Sequence, residues 1–157
     1  MVDHQKWMQM AIDEAAVAVE TGEGAPFGAV IVRNTAQKTP EPKDVILGHN
    51  QSFKLTDPTS HGEIMAIRAA SKAWNTLNLS GCIIYSSGCP CDMCFAAIQW
   101  TGIKEIYYST SIEEWISFYR SKGLVAEKPA ISEQERKRLM HTYEQLFMPQ
   151  AAQIFKY

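Results

Sequence analysis

Four side chains that suit metal chemistry lie in two short segments of the sequence, HGE and PCDMC. The first supplies the imidazole of His61 and the carboxylate of Glu63, and the second supplies the thiols of Cys91 and Cys94. Zinc accepts two thiolates and one imidazole, and a catalytic site leaves the fourth position for water. Such a water has a pKa of about 7, and a carboxylate that is not a ligand can carry its proton. The pattern therefore predicts a zinc ion held by His61, Cys91 and Cys94, with Glu63 as proton shuttle.

Both segments are predicted to lie at the beginnings of helices. Ser60 is a good N-cap residue, and Glu63 three positions later completes a capping box. Pro90 stands at a favoured early helix position, and this second helix is expected to run to about Trp100. Two helix N-termini that converge on one point favour thiolates over thiols, because the helix dipoles stabilise negative charge. Backbone N–H groups around Cys91 are expected to stabilise a tetrahedral reaction species.

The rest of the chain alternates between apolar strands and amphipathic helices. Further helices are predicted over residues 7–20, 112–119 and 132–147, and strands over residues 27–32, 45–48, 82–85 and 103–108. The first two strands are expected to form a hairpin around a loop at residues 34–44, and Pro149 is expected to end the last helix. This order predicts one domain over residues 1–157, a three-layer α/β/α fold with a central mixed sheet of about five strands.

Composition and charge limit the kind of partner that is expected. The 157 residues are 46% apolar, as in a soluble globular domain, and no apolar run approaches the roughly 20 residues of a membrane span. The formal net charge is −2, so the basic surplus typical of nucleic-acid binding is missing and a small neutral substrate is favoured. The first residues lack a secretory signal pattern, and the four cysteines cluster between positions 82 and 94. A reducing cytoplasm and metal binding are therefore expected, rather than disulfides.

Several motifs around these candidates occur together in a fixed order. They are PFGAV at residues 26–30, HN at 49–50, DPTSHGE at 57–63, AIRA at 66–69, PCDMC at 90–94 and AIQW at 97–100. In order and spacing they resemble the cytidine deaminase-like superfamily of zinc enzymes, and within it the purine-directed branch. The chain is most similar there to bacterial-type guanine deaminases, because of Phe27, of Trp100 after the cysteine helix and of the aromatic ending FKY.

The resemblance implies a reaction and its contacts. Guanine and water would give xanthine and ammonia, by attack of zinc-bound hydroxide on C2 of the ring with Glu63 as the shuttle. Asn50 would hydrogen-bond the purine, although an Asn at this place could instead cap a turn. An acidic residue after the fourth strand would contact the purine edge and take part in catalysis. Glu114 matches that position best, and its neighbour Glu113 is the rival.

The same resemblance implies a pocket wall formed by Phe27, Ala29 and Trp100, although large aromatic residues at such places are also ordinary core residues. In the guanine deaminase family the C-terminal segment is exchanged between the subunits of a homodimer, and a terminal aromatic residue covers the partner's site. Residues 149–157 are therefore expected to cross between subunits, with Tyr157 over the substrate. A terminal residue such as Tyr157 is otherwise expected to be frayed.

Departures from the family's pattern leave alternatives open. Cys89 stands where these families usually have Glu, and it could be the fourth ligand of a purely structural zinc site; Gly62 replaces a more usual Ala. The second candidate activity is that of a tRNA adenosine deaminase, followed by deamination of cytosine or another base. A zinc-stabilised interaction module without activity is a third possibility, against which Glu63 argues. The run Arg136-Lys137-Arg138 is predicted as a solvated, salt-bridged helix face.

Overall fold

A five-stranded mixed sheet forms the centre of the computed structural model, which describes residues 3–33, 39–123 and 129–155. The strands are β1 Gly28–Arg33, β2 Val45–His49, β3 Cys82–Gly88, β4 Glu105–Thr110 and β5 Thr142–Gln145. Their spatial order is β2-β1-β3-β4-β5, with β1 antiparallel to both β2 and β3 and the remaining pairs parallel. The predicted hairpin is confirmed, and Val30 of β1 lies opposite Leu47 of β2.

Helices cover both faces of this sheet. They are α1 His4–Glu20, α2 Ser52–Leu55, α3 Gly62–Ala73, α4 Asp92–Trp100, α5 Ile112–Ser121, α6 Glu133–Leu139 and α7 Pro149–Ile154. Alternate residues of β1 point to opposite faces: Val30 packs with α1 and α7, whereas Ile31 packs with α3 and α4. The three-layer α/β/α prediction is confirmed. None of the helices in the described ranges is long and apolar enough to cross a membrane.

The helix that carries His61 is pressed closely against the sheet. A Cβ atom at Gly48 of β2 would lie 2.4 Å from the backbone nitrogen of Ala66 in α3, so no larger residue fits there without backbone movement. The predicted loop between β1 and β2 contains a short 3-10 helix, Pro42–Asp44, and residues 34–38 of that loop lie outside the described part of the chain.

The prediction of one long helix over residues 132–147 is wrong. Ser132 caps α6 as expected, since its hydroxyl oxygen accepts the Glu135 N–H at 3.2 Å, but the helix ends at Leu139 and Met140 is extended. The chain then forms β5, which pairs in parallel with β4 at the sheet edge and buries Tyr143. Backbone pairing with a strand distant in sequence outweighs the local helical preference there.

Pro149 also acts differently from the prediction. It begins α7 at an early helix position instead of ending a helix, which suits its fixed φ angle and missing N–H. Ile154 of α7 is buried with α1 and with the adjoining face of the sheet. Residues 156 and 157 lie outside the described part of the chain, so the predicted place of Tyr157 over the substrate is untested, as is exchange of residues 149–157 between subunits.

Candidate active site

The beginnings of α3 and α4 meet, and three metal-ligating side chains converge there. His61 is the N-cap residue of α3, Cys91 is the N-cap residue of α4, and Cys94 lies one turn into α4. The Nδ1 atom of His61 lies 3.6 Å from the sulfur of Cys91 and 3.5 Å from that of Cys94. All three ligand atoms lie within 4.8 Å of one another.

These separations fit a tetrahedral zinc ion. Zn–S bonds of about 2.3 Å and Zn–N bonds of about 2.0–2.1 Å at a tetrahedral angle place sulfur and nitrogen about 3.5–3.6 Å apart. Both measured His61-to-cysteine distances agree, at 3.5 and 3.6 Å. Among the described residues the cluster has three protein ligands, His61, Cys91 and Cys94. Three ligands are typical of a catalytic zinc site, because the fourth position remains for water or substrate.

Hydrogen bonds at the helix beginnings differ from the predicted capping box. The hydroxyl of Ser60 donates to the carboxylate of Asp57 at 2.6 Å, and the N-cap position is occupied by His61. Cys91 likewise takes the N-cap position of α4, so Pro90 precedes that helix. The predicted Ser60 cap is therefore wrong. The carboxyl of Glu63 does not complete a capping box with Ser60 and instead binds the Ser86 hydroxyl.

Glu63 is buried directly beside the ligand cluster. Its Oε1 atom accepts a hydrogen bond from the Ser86 hydroxyl at 3.0 Å, and its Oε2 atom lies 3.4 Å from the thiol of Cys94. Burial raises the pKa of this carboxyl above its ordinary value. A carboxyl that is held beside the three ligand side chains but outside the ligand set is suited to accept and return protons.

Hydrogen bonds among Cys91, Cys94 and His61 shift the pKa values of these groups. A hydrogen bond from Cys94 lowers the pKa of Cys91 to about 4 despite burial, and hydrogen bonding to Cys91 raises the pKa of His61. These contacts favour the thiolate form of Cys91. A metal ion takes both cysteines as thiolates and His61 as neutral imidazole, so metal binding releases the remaining protons.

Asn50 is buried at the edge of this centre and its amide has a defined orientation. Its Oδ1 atom accepts three hydrogen bonds, from the Ala25 N–H at 3.3 Å and from the N–H and hydroxyl of Ser52 at 3.0 and 2.7 Å. The backbone N–H of Asn50 donates to the carbonyl of Phe27 at 2.9 Å. The amide therefore supports the local turn through its oxygen, and its NH₂ group is left as a donor.

His49, next to Asn50, ties this corner to two other segments. Its Nδ1 and Nε2 atoms lie 2.8 Å from the carboxylates of Glu14 in α1 and Glu23 in the following turn. Glu23 also accepts from Lys54 at 2.9 Å. Burial disfavours charge on the imidazole, but the bonds to both carboxylates outweigh it and raise the pKa of His49. These contacts give His49 a structural role at this corner.

Aromatic side chains from three elements cluster near the ligands. The ring of Phe27 lies over Gly88 at the end of β3, where an added Cβ would be 2.8 Å from it. Phe27 stacks nearly parallel on Tyr119 of α5, with ring centroids 6.1 Å apart, and lies 5.8 Å from the ring of Phe155. Ala29, also predicted for the pocket wall, is fully buried and lies opposite Ser86 in the sheet. Ser86 is the hydrogen-bond partner of Glu63.

Sequence reasoning missed Tyr119 because a single tyrosine in a helix carries no motif. Burial, with the charges of Cys91 and Glu63, raises the pKa of Tyr119 to about 12, which places its phenol within electrostatic range of the site. No hydrogen bond of this hydroxyl occurs within the described ranges. Phe27 and Tyr119 therefore form an aromatic pair within electrostatic range of the ligand cluster.

Three residues predicted to contact the substrate are engaged elsewhere or lie away from the ligands. Glu114 forms a capping box with Ser111, accepting its N–H at 2.6 Å, and both Glu114 and Glu113 are exposed on α5. Trp100 is 92% exposed at the far end of α4. The rise of about 1.5 Å per residue puts it about 13 Å from Cys91, so the pocket-wall prediction for Trp100 is not supported.

Cys89 lies outside the ligand cluster, among other buried groups. Its sulfur is 2.9 Å from the hydroxyl of Tyr143, and burial raises the pKa of its thiol to about 11. A buried neutral thiol that is bonded to a phenol is not poised to bind zinc. This arrangement argues against the alternative of a four-ligand structural site that includes Cys89.

The basic run on α6 divides into two environments. Lys137 pairs with Glu133 at 2.7 Å and Arg138 pairs with Glu135 at 2.6 Å, both on the exposed face, as predicted. The prediction is wrong for Arg136, which is fully buried. The long side chain reaches from α6 towards the cysteine segment, a contact that depends on the position of β5 and was not evident from sequence.

The fold and the site together define a zinc-binding domain of the cytidine deaminase class. The family model for the cytidine and deoxycytidylate deaminase zinc-binding region matches residues 1–110, and the chain belongs to this family. The zinc cofactor predicted from the His/Cys/Cys pattern is thereby confirmed.

Individual relatives have two described activities. Guanine deaminase of Bacillus subtilis is 37% identical over 108 residues, covering 69% of this chain and 65% of the relative, which is less than two thirds of its length. A tRNA-specific adenosine deaminase of Aquifex aeolicus is 36% identical, covering 66% of this chain and 63% of the relative. The crystal structure of the Bacillus subtilis guanine deaminase has a TM-score of 0.66 at 28% identity and covers 99% of this chain and 92% of that one.

Proposed function

We propose that this protein is a zinc-dependent deaminase of free purine bases that converts guanine and water to xanthine and ammonia. The observation that carries the reaction type is the buried carboxyl of Glu63, bonded to Ser86 at 3.0 Å and placed beside a three-ligand cluster. A structural zinc site uses a fourth protein ligand and has no need of such a carboxyl. Similarity to guanine deaminase over nearly the whole chain supports the choice of base.

The chain's own residues account for the proton transfers. A zinc ion held by His61, Cys91 and Cys94 supplies a water that is nucleophilic at neutral pH. Glu63 would accept one proton from that water and pass it to a ring nitrogen of the purine. It would then take the second proton from the hydroxyl newly formed at C2 and pass it to the departing amine, so that ammonia leaves as the C2 carbonyl forms. The Ser86 hydroxyl holds the carboxyl of Glu63 in place between these steps.

Two further contacts would orient the base. The NH₂ group of Asn50 would donate to an acceptor on the purine, because its oxygen is already bonded to Ala25 and Ser52. The aromatic rings of Phe27 and Tyr119 would pack against the base. A homodimer whose residues 149–157 cross between subunits would add Tyr157 to this enclosure. Glu114 would reach the purine edge only after its cap with Ser111 opens, and Glu113 is the rival for that contact.

The second candidate function is deamination of adenosine in tRNA, which the Aquifex aeolicus relative performs according to its name. An enzyme of that kind holds the nucleotides around an extruded base, and phosphate contacts need lysine and arginine. The net charge of −2 supports the free base as substrate instead.

Ammonia release from a panel of substrates tests the proposal. Guanine, adenine, cytosine, their nucleosides and an anticodon stem-loop are each incubated with zinc-loaded protein, with Glu63→Gln as the inactive reference. We expect release from guanine and none from the stem-loop. Activity on cytosine or on the stem-loop without activity on guanine would overturn the choice of substrate. Equal, background release from wild type and variant on every substrate, with zinc bound, would overturn the reaction type.

A further inference from the structure

The side chain of Arg136 is fully buried and contacts the residues on either side of Cys91, which are Pro90 and Asp92. Its Nη1 atom donates to the carbonyl of Pro90, and its Nη2 atom donates to the carboxylate of Asp92 at 2.6 Å. Its Nε atom donates to the carbonyl of Ile131 at 3.1 Å. One guanidinium group therefore holds the residue before and the residue after a zinc ligand, although it belongs to a different helix.

Asp92 is bonded from a second direction as well. Its carboxylate oxygens accept the N–H groups of Ala130 and Ile131, at 2.6 and 3.4 Å, in the segment that leads into α6. The carboxylate thus receives donors from the backbone and from Arg136, as a charge-assisted pair that is well satisfied. These bonds connect the beginning of α4 to a part of the chain that is distant in sequence, since Asp92 and Arg136 are 44 positions apart.

The unusual Cys89 belongs to the same network. Nη1 of Arg136 also donates to the hydroxyl oxygen of Tyr143 at 3.2 Å, and that hydroxyl is bonded to the sulfur of Cys89 at 2.9 Å. The guanidinium group further lies 4.8 Å from the ring centre of Phe95. The Tyr143 hydroxyl therefore connects the thiol of Cys89 to the guanidinium group of Arg136.

We infer that Arg136 is a positioning residue of the zinc centre, which holds the Pro90–Asp92 segment so that the Cys91 sulfur faces His61 and Cys94. Groups that orient metal ligands from behind typically change metal affinity or activity by 10–100-fold when they are removed. The inference rests on the zinc site and does not depend on which base the enzyme deaminates.

Zinc affinity tests this role without any substrate. Arg136→Met is compared with the wild type by competition with a chelator of known affinity, and unfolding of the metal-free protein is measured in parallel. Arg138→Met is the matched control, because Arg138 lies two positions away on the exposed face. We expect Arg136→Met to bind zinc at least tenfold more weakly and Arg138→Met to bind it as the wild type does.

A purely structural role gives a different result. It would lower the stability of the metal-free protein but leave the zinc affinity of the folded variant unchanged, and that outcome would overturn the inference. If Arg136→Met does not fold, Asp92→Asn provides the test, since it keeps the side-chain volume and removes the charge that pairs with Arg136. Zinc affinity of Asp92→Asn equal to that of the wild type would contradict the inference, and a severalfold loss would support it.

Discussion

Asn50 offers a substitution pair that separates support of the fold from substrate binding. Its oxygen accepts three hydrogen bonds from the surrounding turn, whereas its NH₂ group is left as the donor proposed to face the purine. Replacement by Ala removes both functions. Replacement by Asp keeps an oxygen for the three donors and exchanges the NH₂ donor for a carboxylate oxygen that only accepts, so the two variants differ in a predictable way.

The expected loss of stability follows from the three bonds. Each contributes about 1 kcal/mol net, so Asn50→Ala is expected to lower the free energy of unfolding by about 3 kcal/mol. For a domain of 157 residues that loss corresponds to a decrease of about 6–12 °C in Tm. Asn50→Asp is expected to lose less than half as much, because a carboxylate that accepts backbone N–H groups is stabilised by them.

In the activity assay the informative variant is Asn50→Asp, because it keeps most of the stability but lacks the NH₂ donor. A site that uses a buried donor discriminates strongly when the donor is lost, so kcat/KM of Asn50→Asp for guanine is expected to fall at least 100-fold. Asn78→Asp is the matched control, since Asn78 makes a similar bond to the Ser80 N–H in an exposed turn. Chemical denaturation and ammonia release are measured on all three variants.

Two results would refute this account of Asn50. Equal destabilisation by Asn50→Asp and Asn50→Ala would show that the oxygen is not what supports the turn. Guanine turnover by a folded Asn50→Asp variant at the wild-type rate would show that the NH₂ group does not bind the substrate.

Three further outcomes are expected from the same contacts. Glu63→Gln keeps the shape that bonds to Ser86 but cannot carry a proton, so kcat should fall 100- to 10,000-fold with zinc still bound; a loss below tenfold would contradict the shuttle role. His49→Gln should destabilise the metal-free protein most below about pH 6.5, and the difference should shrink as the pH rises through the raised pKa of the folded imidazole; a pH-independent difference in unfolding free energy would contradict it. Gly48→Ala places a Cβ 2.4 Å from the backbone of α3, so it should cost about 3 kcal/mol and weaken zinc binding, whereas wild-type stability in denaturation would show that α3 moves freely.

Much of the fold was predictable because its signals are local. The apolar runs of β1 and β3 and the helical spacing of α1 indicate their own conformations, and strands that alternate with helices predict the layers. The last third was not predictable in this way. Residues 142–145 form an edge strand because β4 offers its free edge and the core accepts Tyr143, neither of which can be read from the segment itself.

The sequence by itself determined the zinc ligands and the acidic residue beside them. Their residue types carry the chemistry, and the spacing of Cys91 and Cys94 places both sulfurs on one side of a helix beginning. The tertiary structure decided where several other candidates lie. It engages Glu114 in a helix cap, leaves Trp100 exposed and brings Arg136 behind Cys91. Such roles depend on contacts between residues far apart in the chain, which only the packing of the helices on the sheet creates.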